Sequence, residues 1–285
     1  MNRLDVSTTL PVSREAVLQI IYEAGQLVVD MQERGLEQIG SKSTSIDLVT
    51  EADLASERLL RERLTALDPS IAFWGEESNE PPDADLFWLV DPIDGTVNYA
   101  AGVPWYAVNI ALNSRETTLL GATLALPSRD LYWAEAGQGA FLRRADGREK
   151  KLHVNHVTEL GDALLVTGFP YHSIQHPDNN LQEFTRLQVR SRGVRRLGSA
   201  ALDLALVAAG AFAGYWEAWL NPWDAAPGVL LVQEAGGRVT DYRGAPWTFD
   251  GPGLVASNGQ PALHQALLGH VRAARQELPR RLFDL

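Results

Sequence analysis

The 285-residue sequence contains no cysteine. That excludes disulfide frameworks, thiolate zinc sites and a cysteine nucleophile. It has six histidines, His153, His156, His172, His176, His264 and His270, and none forms a His-Glu-x-x-His pair. His172 and His176 have the separation of one helix face, but Pro170 and Pro177 make the segment a loop. Surface roles are expected for all six. No Gly-x-Ser-x-Gly elbow is present, so a serine hydrolase is unsupported. No uninterrupted apolar run is long enough to span a bilayer. The opening stretch, Met1 to Val17, has no apolar signal core. A cytoplasmic protein without a membrane partner is therefore expected. Positive charge is in the minority: 25 Lys and Arg stand against 36 Asp and Glu, for a net charge of -11. A general nucleic-acid-binding surface is not expected from such a balance. The one basic run, Arg190 to Arg196, reads as a solvated edge or a subunit contact.

What is present describes a globular α/β (α+β) chain. Hydrophobic residues make up 45% and charged residues 21%, which separates it from disordered sequences. The length fits one large domain or two closely packed halves. Val17, Ile20, Ile21, Ala24, Leu27, Val28 and Met31 recur at helical spacing, after Ser13 as N-cap and before Gly35. Ser41 to Ile46 is polar and loop-like. Leu54, Leu59, Leu60, Leu64 and Leu67 mark a second helix. Apolar runs at residues 107–112, 119–126, 131–134 and 140–142, separated by turn residues, predict an antiparallel meander. The charged connection Arg143 to Lys151 is the best boundary, giving halves of residues 1–148 and 149–285. The second half alternates: strands at 163–167, 193–197 and 214–220, helices at 178–190, 200–212 and 224–234, then strands at 238–242 and 253–257 and a terminal helix from Pro261. Such alternation predicts a layered α/β arrangement with sites at strand ends.

The chain is organised around Leu86 to Gly102. Leu86 to Val90 is an apolar run that reads as a buried strand. At its end stand Asp91 and Asp94, with Pro92 and Ile93 between them. Crowded carboxylates repel, and a hard divalent cation reverses that cost. The carbonyl of Ile93 offers a further oxygen. The N–H groups of Gly95 and Thr96, at the start of a new segment, suit a phosphate. The competing reading is plain turn chemistry, since Asp-Pro and Asp-Gly are common turn dipeptides. Other acids repeat the ambiguity. Glu76 and Glu77 follow the short apolar run Ile71 to Trp74, where a solvated loop is the simpler account. Asp53 has capping-box spacing from Thr50. Asp224 suits an N-cap, with Pro227 in the first turn. Glu217 lies on a strand and needs no function there.

Together these segments carry more than any one of them. The order Asp47-Leu48-Val49-Thr50-Glu51-Ala52-Asp53, Gly75-Glu76-Glu77-Ser78, Asp91-Pro92-Ile93-Asp94-Gly95-Thr96 and Trp223-Asp224-Ala225-Ala226-Pro227-Gly228 resembles the inositol monophosphatase family of Mg²⁺-dependent, Li⁺-sensitive phosphatases. The resemblance spans most of the chain. It implies a layered αβαβα sandwich of the inositol monophosphatase and fructose-1,6-bisphosphatase type, usually a homodimer. It implies two or three Mg²⁺ ions, held by Glu76, Asp91 and the Ile93 carbonyl, and by Asp91, Asp94 and Asp224. On this reading most ligands lie in the first half and Asp224 in the second. Asp53 and Thr96 match the pair that activates water, and Gly95 with Thr96 the phosphate cradle. Gly198, Ser199, Ala200 and Glu217 match substrate-contacting positions. Lys42 matches a basic residue near the outer metal, and Glu77 is a further candidate. Ser199 stands where Thr is common, and Pro227 and Gly228 occupy variable positions. The implied reaction is hydrolysis of inositol monophosphate. Histidinol phosphate, fructose 1,6-bisphosphate, 3′-phosphoadenosine phosphates and NADP are the family's other substrates. A non-catalytic regulatory protein on the same fold is the reading from another class.

Overall fold

The computed structural model describes residues 10–35, 39–41, 48–78, 81–171, 176, 178–251 and 253–276. Helix α1 (Arg14–Arg34) starts after Ser13 and stops at Gly35, whose φ of 88° is a left-handed value that favours glycine. Strands β1 (Ile39–Ser41) and β2 (Leu48–Thr50) form an antiparallel pair ahead of α2 (Glu51–Leu67). Ser41 thus lies in a strand, where its polar surroundings pointed to a loop.

A seven-stranded sheet follows, in which spatial order matches chain order. Its strands are β3 (Ala72–Gly75), β4 (Leu86–Asp94), β5 (Tyr106–Ser114), β6 (Thr118–Leu126), β7 (Leu131–Glu135), β8 (Gly139–Arg143) and β9 (Glu149–Lys151). β3 and β4 pair in parallel, and the remainder is an antiparallel meander. Helices α1 and α2 cover one face, burying Leu18, Ile21, Leu60 and Leu64 against Trp88, Val90, Ile110 and Leu124. The strand period of two turns Phe87 and Leu89 to the opposite face, where they meet Trp223 and Ala226.

That opposite face carries α5 (Ala200–Ala208) and α6 (Pro222–Glu234). Beyond them lies a five-stranded sheet of β10 (Leu164–Thr167), β11 (Gly193–Arg195), β12 (Gly214–Ala218), β13 (Arg238–Thr240) and β14 (Gly253–Ser257), in the order β11-β10-β12-β14-β13. α4 (Leu181–Gln188) and α7 (Pro261–Gln276) close its outer side. The layers are therefore α, β, α, β, α. The apolar character of α5 and α6 follows from this position, since both are covered by a sheet on each side.

Several local features depart from the sequence reading. β4 continues through Asp94, past an irregularity in its pairing with β5 between Asp91 and Asp94. α6 is capped by Asn221, with Asp224 as the third residue of a capping box. Pro227 consequently lies inside the helix rather than in its first turn. The same helix ends in a Schellman turn: Gly236 N–H donates to Gln233 O and Gly237 N–H to Val232 O. His264 is not at the surface. It is fully buried between the hydroxyls of Ser257 (2.8 Å) and Thr240 (3.1 Å), and burial lowers its pKa to about 4.

The approach of α6 to the large sheet is set by Gly121 on β6. A Cβ there would sit 2.8 Å from the Pro227 backbone. Gly121→Ala is expected to lower the unfolding free energy by about 1–3 kcal/mol, as overpacking does. Gly161→Ala, with nothing within 4 Å of the added atom, is the control. Urea denaturation of the two variants checks the difference.

Candidate active site

Five elements bring acids or their partners to one pocket. It is lined by Glu76, Asp91, Ile93, Asp94, Gly95, Thr96, Gly198, Ser199, Ala200, Glu217 and Asp224, among others, and its volume is about 450 Å³. β4 contributes Asp91 on the face turned toward α6, and α6 contributes Asp224. The turn after β3 contributes Glu76, fixed by donation of its N–H to Val90 O at 3.0 Å. Glu77 is not part of the lining. Its N–H donates to Glu57 Oε2 at 2.7 Å, so Glu57 of α2 anchors this turn. A Cβ at Gly75 would fall 2.4 Å from the Glu57 carboxylate, so that side chain would have to move. Lys42 lies outside the described residues.

The pocket acids have little solvent and each other for neighbours. Burial pushes Asp91 well above the usual carboxylate range, and Glu76, Asp94 and Asp224 push it further. Asp224 is raised in the same way, by burial first and then by Glu76 and Asp94. Asp94 rises from 3.8 to about 6 through burial, opposed by hydrogen bonds from Ser199 and the α5 backbone. Those bonds are specific: Ser199 Oγ donates to Asp94 Oδ2 at 2.5 Å and Ala201 N–H at 2.8 Å. Asp91 accepts the Ile93 N–H (3.0 Å), and Asp224 accepts the Asn221 N–H (3.0 Å). Among the described residues none of these three makes an ion pair. Oxygen donors that repel one another and have no cationic side chain fit a hard divalent cation. Among the described residues, no three acidic or histidine side chains are already drawn into a closed cage. The donor chemistry, rather than a preformed cage, is what fits the ion.

Beside the acids sits a hydroxyl with a defined partner. Thr96 Oγ1 lies 3.1 Å from Asp53 Oδ1 and 2.9 Å from Ile93 O. Asp53 is fully buried, and its other oxygen accepts the Thr50 N–H (2.8 Å) and hydroxyl (2.5 Å). The capping box foreseen for Asp53 is therefore real, and it fixes the carboxylate that meets Thr96. Thr96 opens α3 (Thr96–Ala100), with Gly95 before it at φ 91°. A Cβ on Gly95 would meet Gly198 O at 3.0 Å. Asn98 Nδ2 donates to Trp105 O (2.8 Å) and Leu197 O (2.9 Å), tying this turn to the segment before α5. Ser199 serves twice, since its hydroxyl oxygen also accepts Leu202 N–H at 3.3 Å as the cap of α5.

Glu217, on β12, reaches the pocket past Gly168. A Cβ on Gly168 would fall 2.0 Å from Glu217 Oε2. The hydroxyl of Tyr215 donates to Glu217, and burial carries that carboxyl from 4.5 to about 7. Sequence reasoning did not find Arg196, Asp203, Tyr171 or Trp219, which also line the pocket. Arg196 was hidden in the basic run read as an edge. Asp203 follows Gly198-Ser199-Ala200 on the next turn of the same helix, which was the available signal.

The model of the inositol monophosphatase family matches residues 10–276. The chain is 42% identical to an inositol-1-monophosphatase of Caulobacter vibrioides over 238 residues, 82% of this chain and 91% of that one. It is 38% identical to a Nus factor SuhB of Pseudomonas aeruginosa over 85% of this chain and 89% of the other. The solved inositol monophosphatase of Anabaena (Nostoc) sp. PCC 7120 superposes with a TM-score of 0.80 at 34% identity, covering 91% and 94% of the two chains.

A pH dependence follows from the raised acids. A carboxyl whose folded pKa exceeds its unfolded value stabilises fully below the unfolded value and loses that contribution as pH rises through the folded one. With Asp94 moving from 3.8 to about 6 and Glu217 from 4.5 to about 7, the metal-stripped protein is expected to lose stability between about pH 4 and pH 7. Divalent cation present in excess is expected to restore it at the upper end. Thermal melts across pH, with chelator and with Mg²⁺, measure both effects.

Proposed function

The chain belongs to the inositol monophosphatase family and is a phosphoric monoester hydrolase; from that premise we propose that it hydrolyses inositol monophosphate to inositol and phosphate in a Mg²⁺-dependent reaction. The observation that carries this reading is the Asp53–Thr96 pair held against the rim of the carboxylate pocket. Glu76, Asp91 and the Ile93 carbonyl are assigned to one ion, and Asp91, Asp94 and Asp224 to a second. A third, weaker ion is assigned to Glu76. Bound there, Mg²⁺ supplies charge neutralisation for the phosphoryl oxygens and a lowered pKa for water.

The protein groups do the positioning. The Thr96 hydroxyl donates a hydrogen bond to Asp53, which leaves its oxygen lone pairs to accept a hydrogen bond from water. That water faces the phosphorus in line with the ester oxygen. The new O–P bond forms as the P–O bond to inositol breaks. The proton lost by water moves toward the Thr96–Asp53 pair, and the departing oxygen takes one from solvent. The N–H groups of Gly95 and Thr96 receive the phosphate. Gly198, Ser199 and Ala200 border the inositol ring, and Glu217 accepts its hydroxyls. No side chain needs to become phosphorylated. Lithium inhibition, a homodimer and a cytoplasmic location belong to the same reading. No helix among the described residues is long and apolar enough to cross a membrane. Histidinol phosphate, fructose 1,6-bisphosphate, 3′-phosphoadenosine phosphate and NADP are the competing substrates for the same chemistry.

The Pseudomonas aeruginosa relative named as a Nus factor favours a second reading, in which the fold binds a partner without catalysis. Edge strand β11, which ends in Arg195 and follows Arg190 and Arg192, is the surface that reading would use.

Phosphate release from a panel of monoesters, with Mg²⁺, with chelator, and with Mg²⁺ plus Li⁺, tests the proposal. Inositol 1-phosphate is expected to be turned over only with Mg²⁺, and Li⁺ to suppress the reaction. Asp53→Asn and Thr96→Ala are each expected to lower kcat by roughly 10²- to 10⁴-fold with little change in KM. A folded protein that hydrolyses no ester would leave the binding reading in its place.

A further inference from the structure

The carboxyl of Asp203 has no use in the reaction as described. It lies on α5, one turn beyond Ser199, and lines the same pocket as Glu217 and Arg196. The residue is 1% exposed, and its Oδ1 is buried without a hydrogen-bond partner. An unpaired buried carboxyl oxygen is expensive to keep. The helix that carries it is fixed at its start by the Ser199 cap and by donation of Ala201 N–H to Asp94. The backbone that carries Asp203 is thus held at the pocket wall.

We infer that Asp203 is a specificity-determining residue, which with Glu217 receives adjacent hydroxyl groups of a neutral polyol in the substrate. The inference rests on the phosphomonoesterase reading above and narrows its substrate class. A hydroxyl both donates and accepts, so it can pair with a carboxyl in either protonation state. Burial pushes Asp203 well above the usual range, and Glu217 and Asp94 add to the effect while Arg196 opposes it. Arg196 makes no ion pair among the described residues, and its guanidinium on the same wall opposes the ammonium of histidinol phosphate. A neutral, hydroxyl-rich leaving group can pair with both carboxyls and with the Arg196 guanidinium.

The test compares inositol 1-phosphate with p-nitrophenyl phosphate, an ester without ring hydroxyls. Wild type, Asp203→Asn and Asp203→Leu are assayed with Mg²⁺, and their folding is checked by thermal melts. Asp203→Leu is expected to lower the ratio of kcat/KM for inositol 1-phosphate to that for p-nitrophenyl phosphate by at least about tenfold, chiefly through KM. Asp203→Asn, which keeps hydrogen-bonding atoms in the same place, is expected to lower it less. Equal losses on both esters, or an unchanged ratio in either variant, would overturn the inference while leaving the substrate reading intact. A wild-type enzyme that does not prefer inositol 1-phosphate would contradict the substrate reading, and the inference with it.

Discussion

Repulsion among carboxylates held out of water is the constraint that the rest of this molecule accommodates. Asp91 and Asp94 are buried and Asp224 half-buried in one pocket, beside Glu76, and each raises the proton affinity of the others or is raised by them. The fold offers each of the three a backbone N–H, and Asp94 a hydroxyl as well. These donors orient the carboxylates without neutralising them. A cation completes such a set better than any side chain present, because one ion can face several oxygens at once.

Holding the acids in place is work shared across the layers. β4, next to the edge strand β3 of the seven-stranded sheet, turns Asp91 toward α6, where Asp224 sits in the first turn. Ser199 links the two sheets' territories by donating to Asp94 while capping α5. Asn98 does the same from the other side, reaching Leu197 O across the site. The close approach of Gly95 to Gly198 O leaves no room for a side chain at that crossing. The turn that carries Thr96 and the segment before α5 are therefore one mechanical unit, and a change in either is felt by the other.

Much of this was legible in the sequence. Leu86 to Val90 read as a buried strand, and the strand period alone turns Asp91 away from α1 and α2. Thr50 and Asp53 carried the spacing of a capping box, which does form. What the spacing could not show is that the same carboxylate also meets Thr96, since that contact spans 43 residues. Asp224 was legible as a helix-start acid, but its place as third residue, behind Asn221, depends on where Pro222 begins the helix. His264 misled because a polar residue in an amphipathic terminal helix resembles a surface one; only the hydroxyls of Thr240 and Ser257 make its burial tolerable. Arg196 was hidden in a basic run, and Asp203 in an apolar helix, where its place one turn after Ser199 was the only cue.

The most direct measurement is calorimetric titration of Mg²⁺ into the metal-stripped protein at neutral pH, in two buffers of different ionisation enthalpy. Acids that share a buried pocket and hold protons must release them as a cation enters. Two or more ions are expected to bind with net proton release, and Asp91→Asn to weaken binding sharply while still folding. Absence of Mg²⁺ binding, or binding without proton release that Asp91→Asn leaves unchanged, would contradict the account.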